Sequence, residues 1–125
     1  MYFNENDKTR KIHYDGGLID GFKSGFGKAV YSIDIIYEGE WLNDVKEGKG
    51  FISFENGLSY NGQWSQDTAT GKGELIDSNA KEKYVGDFFN GFPHGFGEQF
   101  LNNNEHIFGK YKNGQLEEEF AHNYF

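Results

Sequence analysis

One pattern returns along this chain of 125 residues: an aromatic or apolar residue, a glycine two places on, an aromatic two places after that, then Gly-x-Gly. Its central glycines, Gly16, Gly39, Gly62, Gly86 and Gly109, stand 23, 23, 24 and 23 residues apart. A fixed period of this length specifies a stacked repeat, because each unit carries a face that only its neighbour can bury.

The cleanest copy runs from Gly48 to Trp64 and reads in strand chemistry. Asn56-Gly57 separates two alternating segments, and Asn-Gly is the strongest short hairpin signal because both residues accept positive φ. Side chains two apart share a strand face. Gly48, Gly50, Ile52 and Phe54 therefore point one way on the first strand, and Tyr60, Gly62 and Trp64 point together on the second. Gly25, Gly27, Ala29, Tyr31, then Tyr37, Gly39, Trp41 repeat that parity, as do Gly71, Gly73, Leu75, then Tyr84, Gly86, Phe88. One face thus alternates large rings with bare backbone. Glycine inside a strand costs entropy and packing, so its regular return requires something to approach the main chain there: a ring from the neighbouring repeat. Triplet, paired and turn glycines account for every glycine except Gly17.

The series Tyr37-x-Gly39-x-Trp41, Gly48-x-Gly50, Tyr60-x-Gly62-x-Trp64, Gly71-x-Gly73, Tyr84-x-Gly86-x-Phe88 and Gly95-x-Gly97 resembles MORN repeats, about four and a half of them between Tyr14 and Gly114. The resemblance implies an all-β fold: one elongated antiparallel sheet of stacked β-hairpins forming a single domain. With two strands per repeat at ~4.8 Å each, the ribbon reaches roughly 45 Å. Departures fall at Asp34, where a turn glycine is expected, at the extra residue between Ser78 and Lys83, and at Asn102-Asn103-Asn104. Those tips are expected to differ in shape. Leu18 and Ile107 replace ring positions in the end units, which lack one repeat neighbour.

The open ends of a repeat array need caps. Residues 1–13 and 115–125 are assigned to them, and Leu116, Phe120 and Tyr124, spaced by four with glutamates between, predict a short capping helix at the C-terminus.

Aromatics make up 18% of the chain against 36% hydrophobic residues in total, so rings carry the core. Without cysteine there are no disulfides and no thiolate metal sites. The first residues show no signal-peptide run, and a cytoplasmic location is the expectation. His13, His94, His106 and His122 have no ligand spacing, with His94 and His106 expected in solvent; no metal or other cofactor is expected. The Gly-x-Gly pairs lead into strands, unlike phosphate-binding loops, which open a helix. Asp44, Glu47, Asp67, Asp87 and Glu98 show no spacing that marks a catalytic carboxylate pair, and no serine sits in a nucleophile elbow. An enzyme is therefore not expected.

A net charge of −8 opposes nucleic acid and anionic headgroups and attracts a basic polypeptide. The expected function is a non-catalytic protein-binding module. Its aromatic groove of Tyr37, Trp41, Phe54, Tyr60, Trp64, Tyr84 and Phe88, with an acidic rim, would hold a basic or amphipathic segment. Size and charge fit a bacterial immunity or antitoxin protein. Two alternatives stand beside it. The resemblance implies a phospholipid-associated adaptor, which the charge disfavours. Open sheet ends allow a self-associating scaffold, so the chain is a monomer or an end-to-end dimer.

Overall fold

A computed structural model describes residues 13–124, so the N-terminal cap assigned to 1–13 lies, apart from His13, outside the described residues. Ten strands follow one another: β1 (His13–Ile19), β2 (Phe22–Ser32), β3 (Ile35–Leu42), β4 (Val45–Ser53), β5 (Leu58–Ser65), β6 (Thr68–Asp77), β7 (Glu82–Phe89), β8 (Phe92–Phe100), β9 (Glu105–Lys112) and β10 (Gln115–Tyr124). Among the described residues they form one antiparallel sheet in sequence order, each strand pairing only with its chain neighbours. The stacked hairpins read from the period are the fold observed.

The central glycines meet in register, Gly39 opposite Gly50, Gly62 opposite Gly73 and Gly86 opposite Gly97. The main chains touch there: a methyl group on Gly39 would stand 2.4 Å from the Gly50 Cα. Over Gly50, on the ring face, lies Tyr37, whose ring carbons would come within 2.5 Å of an added Cβ, and Tyr60 covers Gly73 in the same way. Each ring is pinned by its hydroxyl, which donates to the carbonyl three residues on: Tyr14 to Gly17 (2.8 Å), Tyr37 to Glu40 (2.8 Å), Tyr60 to Gln63 (2.7 Å) and Tyr84 to Asp87 (2.9 Å).

Beside every such pair the sheet bulges. Between Gly39↔Gly50 and Trp41↔Lys46, the single residue Glu40 faces Glu47, Gly48 and Lys49. The extra length bends the strand and leaves an amide unpaired. Glu40 takes it: its carboxylate accepts the Lys49 N–H at 2.6 Å, while Gln63 serves Lys72 (2.7 Å) and Asp87 serves Phe96 (3.1 Å). Gly48 makes room for this, with φ +99° and the Glu40 carboxylate over its α-carbon. Gly17, the glycine outside the pattern, holds the place of Glu40 in the first unit, where a Cβ would strike the Ser24 carbonyl oxygen at 2.2 Å.

Two-residue turns join the strands along one long edge, and both residues have positive φ at Asp20-Gly21, Asn43-Asp44, Gln66-Asp67, Asn90-Gly91 and Asn113-Gly114. Each turn after the first bonds back to the preceding unit. The second turn residue donates its N–H to a carbonyl there, Asp44 to Lys23, Asp67 to Lys46, Gly91 to Ala69 and Gly114 to Pro93, at 2.9 to 3.0 Å. The two aspartates return the bond, accepting the Lys23 and Lys46 N–H groups at 2.7 Å. That clasp offsets the strain of a left-handed non-glycine residue.

At the opposite edge, Asn56 and Gly57 do take positive φ, yet the connection is a three-residue 3-10 turn, Glu55–Gly57, closed by Phe54 N–H to Leu58 O at 2.8 Å. The Ser78 tip differs as its extra residue required: Asp77 accepts the Asn79 and Ala80 N–H groups, and Ser78 donates to Gly57 O.

The expected C-terminal capping helix is instead a strand. β10 pairs with β9 throughout, Leu116 opposite Tyr111 and Tyr124 opposite Glu105. A spacing of four is even, so it satisfies a period of two as well as one of 3.6, and the open edge of β9 offers a ladder that an isolated helical turn cannot match. Two bulges, at Glu117 and Phe120, together with three consecutive glutamates, guard the new edge against further strand addition.

Gly50→Ala must displace the Tyr37 ring and is expected to cost about 3 kcal/mol, against about 1 kcal/mol for Gly21→Ala, whose Cβ meets nothing. Urea denaturation midpoints check the order. Asp67→Ala keeps the strained φ and loses the clasp, an expected cost of about 2 kcal/mol. Asp67→Gly loses the clasp but relieves the strain and should recover about 1 kcal/mol of that. An alanine variant as stable as the native chain would contradict the clasp, and one more stable than the glycine variant would contradict the strain.

Candidate binding cleft on the ring face

The rings of the inward face form one continuous edge-to-face chain: Tyr14, Trp41, Tyr37, Trp64, Tyr60, Phe88, Tyr84, Tyr111. Successive centroids lie 4.8 to 5.5 Å apart with planes at 79° to 89°. This is the preferred geometry of aromatic quadrupoles. The indoles add a polar anchor, Trp41 Nε1–H to Gly27 O at 3.0 Å and Trp64 Nε1–H to Gly50 O at 2.9 Å.

Of the seven ring residues assigned to a groove from sequence, Tyr37, Trp41, Tyr60, Trp64, Tyr84 and Phe88 are buried, none more than 7% exposed, and Phe54 is half-buried. The stack is thus first a core. In the C-terminal half it is also the floor of a cleft of about 910 Å³, lined by Phe54, Tyr60, Trp64, Tyr84 and Phe88; Tyr37 and Trp41 do not reach it. Sequence reasoning missed the walls: Leu58, Leu75, Phe92 and Pro93. The period carried the signal for two of them, since Leu58 stands 23 residues after Ile35 and Leu75 23 after Ile52, both core positions.

The acidic rim reduces, at the cleft, to Asp67, the one charged side chain in its lining. Strand parity explains the rest. Glu38, Glu74 and Glu98 alternate away from the rings, Lys28 pairs with Glu38 at 4.0 Å, and an ion pair joins Lys72 to Asp87 on that outer face. His106 belongs there too. Rather than lying free in solvent it is half-buried, edge-on to Phe100 at 4.4 Å and 3.2 Å from Glu98; His94 is likewise half-buried, beside Phe89. Among the described residues no group of three or more His, Asp and Glu converges as a metal site would require.

The glycine pairs, pinned tyrosines and bulges repeat as one unit, and the MORN-repeat family profile matches residues 14–33, 37–59, 60–79 and 84–105. The chain belongs to the MORN-repeat family. No curated protein shows a match to it. MORN repeats are generally interaction modules for proteins or membrane lipids, typically without catalytic activity.

Burial marks the MORN tyrosines electrostatically. It pushes the Tyr60 and Tyr111 hydroxyls up to about 12 from an ordinary 10.0, and raises Tyr37 and Tyr84 further. For Tyr37 the nearby Glu40 and Asp67 carboxylates add to burial; for Tyr84, Asp87 does. The folded state holds these phenolic protons more tightly than the unfolded chain, so their contribution is complete below pH 10 and is lost as pH rises from 10 toward 12. The urea midpoint should accordingly stay level to about pH 9 and fall steeply beyond about pH 10, with buried phenolate absorbance appearing together with unfolding. Ionisation of all tyrosines near pH 10 without loss of structure would contradict the buried stack.

Proposed function

We propose that this MORN-repeat protein is a non-catalytic protein-binding module that takes a basic or amphipathic segment of a partner polypeptide into the ring-face cleft. The carrying observation is the contrast between the two faces. The outer face sets exposed rings, Phe26, Phe51, Phe96 and Phe108, among charged side chains that include the Lys28–Glu38 and Lys72–Asp87 pairs, whereas the concave cleft gathers Phe54, Leu58, Leu75, Phe92 and Pro93 over an aromatic floor with Asp67 beside them. Partly exposed apolar and aromatic groups in a concave setting are the surface that interface hot spots use. The net charge of −8 supports a basic partner by long-range steering and disfavours anionic membranes. A basic toxin masked at its active site is one partner of that chemistry.

The probe is a synthetic Leu–Lys amphipathic peptide, followed by tryptophan fluorescence. Binding is expected, weakening as salt rises from ~0.05 to ~0.5 M. Phe92→Ser and Leu58→Ser, at the cleft wall, should each weaken it about tenfold, and Phe26→Ser, exposed on the outer face, should not. Equal loss from all three variants, or robust binding instead to phosphoinositide vesicles at physiological salt, would overturn the reading.

A further inference from the structure

Lys23, Lys46, Ala69, Pro93 and Leu116 form one series in the repeat, each paired across the strands with the second ring position of its triplet: Leu18, Trp41, Trp64, Phe88 and Tyr111. In the second place of the series the chain supplies a cation. Lys46 is 7% exposed, with its ammonium 5.1 Å from the Tyr31 ring, 5.4 Å from Tyr37, 5.4 Å from Trp41 and 5.9 Å from Trp64, and 3.7 Å from the Asp67 carboxylate. Distances within about 6 Å of ring centroids are those of cation–π attraction. Lys23 does the same on a smaller scale, 5.5 Å from both Tyr14 and Trp41.

One period further on, the four rings recur and the lysine does not. Tyr31, Tyr37, Trp41 and Trp64 become Phe54, Tyr60, Trp64 and Phe88, and Ala69 stands where Lys46 stood. All five of these residues line the cleft. Tyr60–Trp64 and Tyr60–Phe88 keep the edge-to-face geometry of Tyr37–Trp41 and Tyr37–Trp64, so the second ring set has the arrangement of the one around Lys46. A methyl side chain reaches only the floor. Asp67, the carboxylate that faces the Lys46 ammonium, lines the same cleft, and the chain's net charge is negative.

We propose that Phe54, Tyr60, Trp64 and Phe88 form a receptor for a lysine ammonium group supplied by the partner polypeptide, which enters as Lys46 enters the preceding ring set. The inference rests on the cleft being the partner site and names the group that is recognised there. A lysine fits because the chain's own occupant of the equivalent place is one. Its flexible stem can lie along Leu58 and Leu75 while the head meets the rings.

The test uses the whole chain and two peptides, an end-blocked tetralysine and its fully Nε-acetylated form, read through the indole N–H signals of Trp64 and Trp41 in ¹⁵N-resolved NMR. Tetralysine should shift Trp64 more than Trp41, whose ring set already holds Lys46, and acetylation should weaken the response about tenfold. Ala69→Lys places an ammonium in the receptor from within and should abolish the response; Ala69→Met fills the same space and serves if the lysine variant does not fold. Equal response to both peptides, absence of response, or an undiminished response in the filled variant would overturn the receptor. If the Leu–Lys peptide still binds the cleft while acetylation of tetralysine changes nothing, the ammonium inference fails alone; if neither peptide engages the cleft, both readings fail.

Discussion

A phenol ring laid across a glycine is the contact on which the rest of this sheet depends. A single sheet has no second layer to cover its apolar face, and most domains solve that burial problem with two packed layers. Here rings of one strand cover the main chain of the next. Tyr37 rests on Gly50 and Tyr60 on Gly73, at distances that leave no space for a β-carbon. The neighbouring bulges bend the strands until successive rings meet edge to face, which lets one layer bury aromatic side chains almost completely. Glycine pairing, tyrosine pinning and bulge formation are therefore one device, and loss of any part exposes the others.

Stacking along the turn edge reinforces that device with polar chemistry. Asp44 and Asp67 sit at φ of +70° and +68°, where glycine would be the easy choice, and each exchanges two hydrogen bonds with the preceding unit. Gly91 and Gly114 make the backbone half of the same contact, to Ala69 and Pro93. Proline has no N–H to give, so an aspartate after Asn113 would find no donor for its returned bond. Turn residue and opposing residue are thus matched: aspartate with lysine in the N-terminal half, glycine with alanine or proline in the C-terminal half.

Much of the fold was legible because two periods coincide. A 23-residue spacing fixed the repeat, parity within it fixed the face, and glycine demanded a covering ring. That ring, however, comes from the preceding strand of the same unit, Tyr37 over Gly50 and Tyr60 over Gly73, and not from the neighbouring repeat, because strands adjacent in sequence are also adjacent in the sheet. The last strand was not legible, since Leu116 and Phe120 satisfy both strand and helix periods and only the waiting edge of β9 decides between them. The site was legible in part. Ring identity placed Phe54, Tyr60, Trp64, Tyr84 and Phe88 near the cleft, but composition does not reveal that rings bury one another, nor that parity turns most strand carboxylates to the far face. The residue that separates an occupied ring set from an open one is Lys46 or Ala69, a position outside the glycine and aromatic pattern that drew attention to the repeat.

If the cleft takes a partner's lysine as proposed, that difference also governs how affinity and selectivity would divide. A desolvated cation–π contact contributes about 2 kcal/mol, and stripping water from an ammonium costs a comparable or larger amount unless a carboxylate stands near. Lys46 meets that cost within the chain, with Asp67 at 3.7 Å. A partner's lysine would share the same carboxylate at longer range, so its net gain is small, and binding strength must come from apolar area on Leu58, Leu75 and Phe92. On the proposed reading the ring set would work as a filter: an apolar segment without a cation would fit the walls but leave the quadrupoles unmatched, and a cation without apolar flanks would bind more weakly than a segment that carries both. A segment carrying both is the occupant that, on the proposed reading, this asymmetry between the two halves of the sheet would select.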